Sequence, residues 1–181
     1  RSRLLSKTSK MHKEEAPKHL SFAVITISTS RFRESKSGKH VEDESGDLIV
    51  ETLKNHGHTI AERQLVSDDK TMIAQTIQEM LKSPKVDAII TCGGTGINPS
   101  DVTIETLEPI LEKELPGFGE LFRHLSYQEI GSAAVMTRAI AGTAKGKAVF
   151  CLPGSPHAAK LCLEKLILPE SGHIILHARG R

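Results

Sequence analysis

A buried strand that runs into a glycine-rich turn constrains the fold of this chain more than any other feature. The largely apolar run 86–90 is typical of a central strand, and the segment TCGGTGINPSDVT follows it at 91–103, ahead of a helical pattern. In α/β proteins this order commonly holds an anion such as phosphate, because backbone N–H groups and the positive end of the helix face it. The segment lacks the lysine of a P-loop, so a plain tight connection between strand and helix stays open as the alternative.

Strands and helices alternate along the chain. Composition and periodicity predict strands at 20–28, 58–66, 86–91 and 146–152. Helical patterns lie at about 45–57, 67–81, 102–115 and 118–130, and from 156 onward. Residues 29–44 are predicted to form a polar loop, and 131–145 fit either a helix or a strand. Strands separated by helices indicate an α/β fold with a mostly parallel sheet and helices on both faces.

Polar turns follow three of the predicted strands, after residues 28, 91 and 152. In parallel sheets, ligands bind outside the carboxyl ends of the strands. Because these turns lie at the same edge of the sheet, we expect one pocket to gather them.

Two aspartates follow strand ends at this edge. Asp101 comes shortly after the glycines, and Asp68 follows the second predicted strand. Either can simply cap a helix, since Asp is favoured at that position. A carboxylate close to a bound phosphate is repulsive unless a metal ion or a proton transfer uses it, and two of them can hold Mg²⁺ together with phosphate oxygens. Asp68 and Asp101 are therefore candidate catalytic residues and candidate ligands of Mg²⁺.

Other polar residues have plainer alternatives. Ser155, with Pro156 after it, suits the N-cap of the last helix, although a capped helix still offers N–H groups to an anion. Glu120 can be a solvated helix residue, and Arg138 can pair with an acidic side chain. The nine histidines show no metal-ligand spacing.

Composition excludes several classes of protein. The chain has 181 residues, 38% of them hydrophobic, and no apolar run approaches the ~20 residues that span a bilayer, so we expect no membrane association. Aromatic residues make up 3% of the chain, which argues against the stacking platforms that bind nucleic acid. The three cysteines form no CxxC pair, which favours a reducing, cytoplasmic location and buried thiols.

Charge divides the chain into two parts. Residues 1–19 contain six of the 24 Lys and Arg residues and two of the 22 Asp and Glu residues. We therefore expect a basic, flexible tail over 1–19 and a single, slightly acidic domain over 20–181.

Three segments together resemble a known family. They resemble the molybdopterin-binding MoaB/Mog proteins of molybdenum- and tungsten-cofactor biosynthesis. The segments are TCGGTGINPSDVT at 91–103, ELPGFGELFRHLSYQEIGSAAVMTRAIAG at 114–142 and LPGSP at 152–156. The sequence of the second segment favours the MoaB branch. The likeness runs from about residue 20 to about residue 168. It implies a three-layer α/β/α fold and assembly as a trimer or hexamer. In active members it also implies transfer of the adenylyl group of Mg-ATP to the phosphate of molybdopterin, with release of pyrophosphate.

The resemblance also implies roles for individual residues. Asp101 and Asp68 match two functionally important aspartates, the second of which some MoaB branches lack. The other matches are implied to line the site for nucleotide and pterin phosphate: Gly93, Gly94, Thr95, Gly96, Glu120, Thr137, Arg138, Pro153, Gly154 and Ser155, with Ser45 and Gly46 in a DxSG-like element at 43–46. The segment 28–31 departs from the Ser-Asp-Arg of many relatives, which questions a pterin contact from that loop, and Ile104 replaces a proline common in relatives.

Three functions are consistent with these residues. The leading hypothesis is a molybdopterin adenylyltransferase that uses Mg²⁺ and ATP. The alternative is a non-catalytic molybdopterin carrier or assembly module with the same pocket, which would bind pterin and consume no nucleotide. A third is a scaffold that recruits other cofactor-synthesis proteins through the basic tail, although such a charge run is also typical of a solvated, disordered segment.

Overall fold

A six-stranded sheet organises the protein. The computed structural model describes residues 15–180. The strands are β1 (Ser21–Ile27), β2 (Thr59–Val66), β3 (Ala88–Cys92), β4 (Lys113–Glu114), β5 (Ile140–Ala144) and β6 (Lys147–Leu152). Their order is β2-β1-β3-β6-β5-β4. The first four of these are parallel, whereas β5 and β4 run antiparallel to their neighbours at one edge. The prediction of a mostly parallel sheet is confirmed.

Helices fill the connections between the strands. The α-helices are α1 (Thr29–Lys36), α2 (Glu44–Asn55), α3 (Lys70–Lys82), α4 (Thr103–Leu107), α5 (Pro116–Ile130), α6 (Pro156–Cys162) and α7 (Leu168–Ala178). Short 3₁₀ turns follow α4 and α5, at Glu108–Ile110 and Gly131–Met136, and a π-helical turn at Leu163–Ile167 joins α6 to α7.

The sheet separates two apolar cores, because successive side chains of a strand point to opposite faces. On one face, Phe22 of β1 and Phe150 of β6 pack with buried residues of α2, α5, α6 and α7. On the other face, Ile25 of β1 and Ile89 of β3 pack with buried residues of α3 and α4. The three-layer α/β/α arrangement is therefore confirmed.

The starts of three helices follow from capping side chains. Asp43 accepts from the N–H of Gly46 to begin α2, and Asp69 accepts from the third residue of α3. Ser155 caps α6 with Pro156 in its first turn, as the sequence predicts. The helical pattern that starts at residue 45 suggests Ser45-Gly46 as the cap of α2. That assignment is wrong, because the carboxylate of Asp43, two residues earlier, accepts from the N–H of Gly46.

Three segments differ from the prediction. The helix predicted at about 102–115 is the short α4, followed by a 3₁₀ turn at Glu108–Ile110 and by β4 at Lys113–Glu114, because Pro109 cannot continue an α-helix. Residues 29–44 are not entirely loop, since α1 occupies Thr29–Lys36; none of its residues is buried, so no apolar periodicity indicates it. The helix predicted at 118–130 begins two residues earlier, because Pro116 lies in the first turn of α5, where the missing N–H of proline has no partner to lose. The ambiguous stretch 131–145 contains both a 3₁₀ turn and β5.

The predicted basic tail lies mostly outside the described residues, which begin at residue 15. Across the part of the chain that the structure describes, no helix has both the length and the apolarity to cross a bilayer.

Candidate functional site

The carboxyl ends of β1, β2, β3 and β6 meet at one edge of the sheet. The turn after β3 begins with Gly93 and Gly94, whose φ angles of 110° and 64° lie in the left-handed region. A β-carbon on Gly93 would lie 2.2 Å from the carbonyl oxygen of Ile27, and one on Gly94 would lie 2.3 Å from Oγ1 of Thr103. Glycine is required at both positions, because the backbone conformation and the close packing each exclude a side chain.

Hydrogen bonds fix this glycine loop. Thr103 at the start of α4 donates from Oγ1 to the carbonyl oxygen of Gly93 at 2.9 Å, and from its N–H to that of Gly94 at 3.0 Å. The N–H of Gly93 donates to the carbonyl oxygen of Leu152 on β6, so it is not available to a ligand. These bonds hold the loop so that the residues after Gly93, namely Gly94, Thr95 and Gly96, lie at the edge of the sheet.

Asp101 belongs to the glycine loop rather than to the helix after it. Its Oδ2 accepts from the N–H of Asn98 at 3.1 Å and lies 2.6 Å from the position that a β-carbon on Gly96 would take. The N-cap of α4 is Val102, with no capping side chain. The interpretation of Asp101 as a helix cap is therefore wrong, and its carboxylate lies beside Gly96.

Asp68 reaches the same loop from the end of β2. Its Oδ2 accepts hydrogen bonds from the N–H and the hydroxyl of Thr29, each at 2.8 Å. Its Oδ1 lies 2.7 Å from the position that a β-carbon on Gly94 would take. The cap of α3 is the neighbouring Asp69, so Asp68 is not a helix cap either.

A cleft of about 380 Å³ opens beside the glycine loop. One side is polar and contains predicted residues: Gly94, Thr95, Gly96, Asp101, Thr137, Arg138, Pro153, Gly154 and Ser155. Another part of the lining is largely apolar and comes from α5, α6 and the 3₁₀ turn after α5: Phe122, Ser126, Ile130, Met136, Ala158 and Leu161. Of the three turns expected to share one pocket, those after β3 and β6 line this cleft, whereas the turn after β1 does not. The cleft can take a molecule with an anionic part and an apolar or ring part.

Arg138 fastens the loop while it lines the cleft. Its Nη1 donates to the carbonyl oxygen of Gly96 at 2.9 Å, and its Nη2 forms an ion pair with Glu105 of α4. The pairing with an acidic side chain that the sequence left open is thus present. The hydrogen bond to Arg138 lowers the pKa of Glu105 from its usual value, which keeps the pair ionised.

Ser45 and Gly46 do not line the cleft but support it from behind. Ser45 is buried and donates from Oγ to the carbonyl oxygen of Gly154 at 2.7 Å. A β-carbon on Gly46 would lie 2.1 Å from Oδ2 of Asp43, which caps this helix and accepts from Thr26 at 2.6 Å. Each residue of the DxSG-like element at 43–46 therefore has a structural role. Asp43 caps α2, Ser45 supports the turn at Gly154, and Gly46 leaves room for the Asp43 carboxylate.

Two further predicted residues lie away from the lining. Glu120 is exposed on α5, and Gly93 is buried at the start of the glycine loop, against Ile27. The structure therefore gathers most of the predicted residues around one cleft. Asp68 and Ser45 contact the lining residues Gly94 and Gly154 from outside, whereas Gly46 packs against Asp43 and Thr26.

The apolar wall of the cleft was missed by sequence reasoning. Phe122, Ser126 and Ile130 recur every four residues, which places them on one face of α5 and is the signal that could have found them. Glu129 and His157 also line the cleft, where Oε2 of Glu129 and Nε2 of His157 lie 2.5 Å apart. No sequence spacing links these two, because they come from different helices.

The residues present fit a magnesium ion that arrives with phosphates. Among residues 15–180, no group of three or more His, Cys, Asp and Glu side chains could hold a metal ion by itself. Mg²⁺ usually takes one or two protein carboxylates and completes its coordination with phosphate oxygens and water. Asp101 lines the cleft beside Gly96 and supplies an oxygen donor of this kind. Oδ1 of Asp68, which lies outside the lining but next to Gly94, is the second candidate donor.

Comparison with known proteins agrees with this geometry. Residues 23–173 match the family model described as "Probable molybdopterin binding domain". The chain belongs to this molybdopterin-binding family. The resemblance seen in the motifs is confirmed over most of the chain.

Relatives of the family cover nearly the whole chain. The molybdenum cofactor biosynthesis protein B of Bacillus anthracis is 47% identical over 164 residues, which are 90% of this chain and 93% of that protein. The molybdopterin adenylyltransferase of Pyrococcus furiosus is 44% identical over 172 residues, 93% of this chain and 96% of that protein. The crystal structure of the tungsten cofactor synthesizing protein MoaB from Pyrococcus furiosus superposes with a TM-score of 0.80 at 43% identity, covering 91% of this chain and 99% of that one.

Proposed function

We propose that this protein is a molybdopterin adenylyltransferase, which transfers AMP from Mg-ATP to the phosphate of molybdopterin and releases pyrophosphate. The observation that carries the proposal is the mixed lining of the cleft, in which the glycine loop, Asp101 and Arg138 occur together with an apolar wall from α5 and α6. Its volume of about 380 Å³ lies within the usual range for sites of small molecules. Relatives at 43–44% identity carry the name of this activity.

The proposed reaction exchanges one phosphorus–oxygen bond for another. A phosphate oxygen of molybdopterin attacks the α-phosphorus of ATP, the bond from that phosphorus to the bridging oxygen of the β-phosphate breaks, and pyrophosphate leaves. Because the nucleophile is already an anion, the protein needs chiefly to position the phosphates and to offset their charge. The loop of Gly94, Thr95 and Gly96 and the guanidinium of Arg138 lie where they can do so.

Asp68 and Asp101 would hold Mg²⁺ in this scheme. When bound, the ion would neutralise phosphate charge and orient the phosphates. The carboxylates themselves are held in place by Thr29 and by Asn98. Each therefore keeps its orientation before any ligand enters.

Assembly and location are further parts of the proposal. Large exposed apolar side chains among the described residues concentrate on α5 and the 3₁₀ turn after it: Leu121, Tyr127, Ile130, Val135 and Met136. Such patches mark association surfaces, which supports a homo-oligomer, proposed to be a trimer or hexamer, and association with other cofactor-synthesis proteins. The proposed location is the cytoplasm, where the three free cysteines of the described residues stay reduced. Light scattering coupled to size-exclusion chromatography measures the molar mass in solution. A monomeric mass would contradict the proposed homo-oligomer.

The decisive experiment is incubation with Mg-ATP and molybdopterin. We expect pyrophosphate and adenylylated pterin in equal amounts. Bound pterin without pyrophosphate would reject the enzyme and favour the carrier.

Asp101→Asn tests the site. The variant should bind molybdopterin and lose about 100-fold or more in turnover, because a neutral amide is a poorer ligand for the Mg²⁺ that would offset the phosphate charge. Its Oδ1 can still accept from Asn98, so the loop is preserved. Asp69→Asn is the matched control, since Asn also caps a helix. Equal turnover of the Asp101→Asn and wild-type proteins at saturating Mg-ATP would contradict the role of Asp101.

A further inference from the structure

Thr29 contacts Asp68 through its backbone and its side chain together. Its N–H and its hydroxyl each donate to Oδ2 of Asp68, both at 2.8 Å. The N–H of Asp68 donates in return to Oγ1 of Thr29 at 3.1 Å, and Oγ of Ser67 lies 3.0 Å from the same atom. A hydroxyl has one proton to donate and two lone pairs, so Ser67 is the donor in the last contact. The hydroxyl of Thr29 is therefore fully used around Asp68.

The start of α1 does not explain these contacts. The N-cap of α1 is Ser28, whose side chain accepts from the N–H of Arg31. The hydroxyl of Thr29 is therefore not needed to begin the helix, and its partners all belong to the turn after β2.

The strand order explains why Asp68 needs such a partner. β1 lies between β2 and β3, and neighbouring strands are about 4.8 Å apart, so the turns after β2 and β3 start roughly 10 Å apart. Asp68 follows β2, yet its Oδ1 lies 2.7 Å from the position that a β-carbon on Gly94, after β3, would take. Thr29 follows β1 and lies between these two turns.

We propose that Thr29 is a positioning residue for adenylyl transfer: by holding Oδ2 of Asp68, it directs Oδ1 to the glycine loop. The inference rests on the proposed function, because Thr29 acts on the reaction only through Asp68. It also gives segment 28–31 a role that does not require contact with the pterin.

The test compares variants that keep or remove the hydroxyl. Thr29→Val retains the shape and the backbone N–H but loses the side-chain bonds, and kcat should fall about tenfold or more because the carboxylate is misplaced. KM for ATP and for molybdopterin should change less than about twofold, since Thr29 does not line the cleft. Thr29→Ser should restore kcat to within about threefold of wild type. Thr71→Val, the same change at an exposed position in the first turn of α3, is the matched control and should have no effect.

A double-mutant cycle separates positioning from general damage. In an Asp68→Ala background, Thr29→Val should change kcat by less than about twofold, because its partner is absent. A full tenfold loss in that background would show that Thr29 acts in another way and would overturn the inference, as would a wild-type kcat in Thr29→Val. If the wild-type protein forms no adenylylated pterin, the proposed function fails instead. Activity that is intact in wild type and unaffected by Asp68→Ala rejects the role of Asp68 and, with it, that of Thr29.

Discussion

The hydroxyl of Ser45 donates a 2.7 Å hydrogen bond to the carbonyl oxygen of Gly154, which lies 109 residues further along the chain. Ser45 is 2% exposed, so water does not compete for this bond. Gly154 belongs to the turn between β6 and α6 that forms part of the polar side of the cleft. The first turn of α2 therefore holds one wall of the candidate site without touching a ligand.

Replacing Ser45 by Ala should weaken ligand binding through this turn. The carbonyl oxygen of Gly154 loses a buried partner, which lowers the free energy of unfolding by about 1–3 kcal/mol. We also expect the affinity for molybdopterin, measured by titration calorimetry, to fall several-fold, because Pro153, Gly154 and Ser155 lose their support. Ser171→Ala is the control, since Ser171 is 1% exposed on α7, away from the cleft. Equal losses of affinity in both variants would mean that general destabilisation is the cause.

Gly94→Ala should cost far more than the same change at another left-handed glycine. Gly94 has a φ of 64° and Gly38 has one of 77°, but a β-carbon on Gly38 would meet no atom within 4 Å. Backbone strain alone costs about 1–2 kcal/mol, and we expect that cost for Gly38→Ala in urea unfolding. Gly94→Ala adds clashes with Thr103 and with Asp68, so it should unfold at clearly lower urea and lose adenylyl transfer. Similar unfolding midpoints for the two variants would contradict the crowding at Gly94.

The sequence allows prediction of the four parallel strands and of the glycine loop because both leave local signals. The edge strand β4 was missed because its two residues are exposed and show no apolar pattern. β3 is a fully buried strand, and the positions of Gly93 and Gly94 require glycine for reasons of local geometry. The contact between Thr29 and Asp68 joins residues 39 apart, and no local pattern indicates it. The apolar wall at Phe122 was missed because an amphipathic helix face reads as core whether it meets the sheet or a cleft.

Stability should decrease in mild acid because of His58. Its pKa lies below the usual value, first because of burial and then because His19 and His56 lie nearby. Nδ1 of His58 accepts from the N–H of Leu20 at 3.2 Å, and a proton on that nitrogen would remove the acceptor. The unfolded chain binds the proton near its ordinary value of about 6.5, whereas the folded chain binds it only at lower pH. Stability is therefore complete above that pH and is lost as the pH falls towards the folded pKa.

The variant His58→Asn tests this explanation. Asn offers an oxygen near the position of Nδ1 and does not titrate, so the contact with Leu20 is kept. We expect the free energy of urea unfolding to depend less on pH between about 5 and 7.5 in the variant than in the wild type. An unchanged slope would show that another group causes the acid sensitivity.

The cysteines should be unreactive in the folded protein and dispensable for the chemistry. Cys92 and Cys151 are buried, and burial raises the pKa of each thiol to about 12. Cys162 is also buried, with its pKa raised for the same reason. Since the thiolate is the nucleophile, alkylation at pH 8 should be at least about a thousandfold slower than for a free thiol, before steric protection is added.

Mass spectrometry after iodoacetamide treatment should find three modified cysteines in urea and none in the native protein. The treated native protein should also retain its adenylyl transfer. Rapid modification of Cys92, whose Sγ donates to the carbonyl oxygen of Pro153 in the cleft wall, would contradict a closed wall.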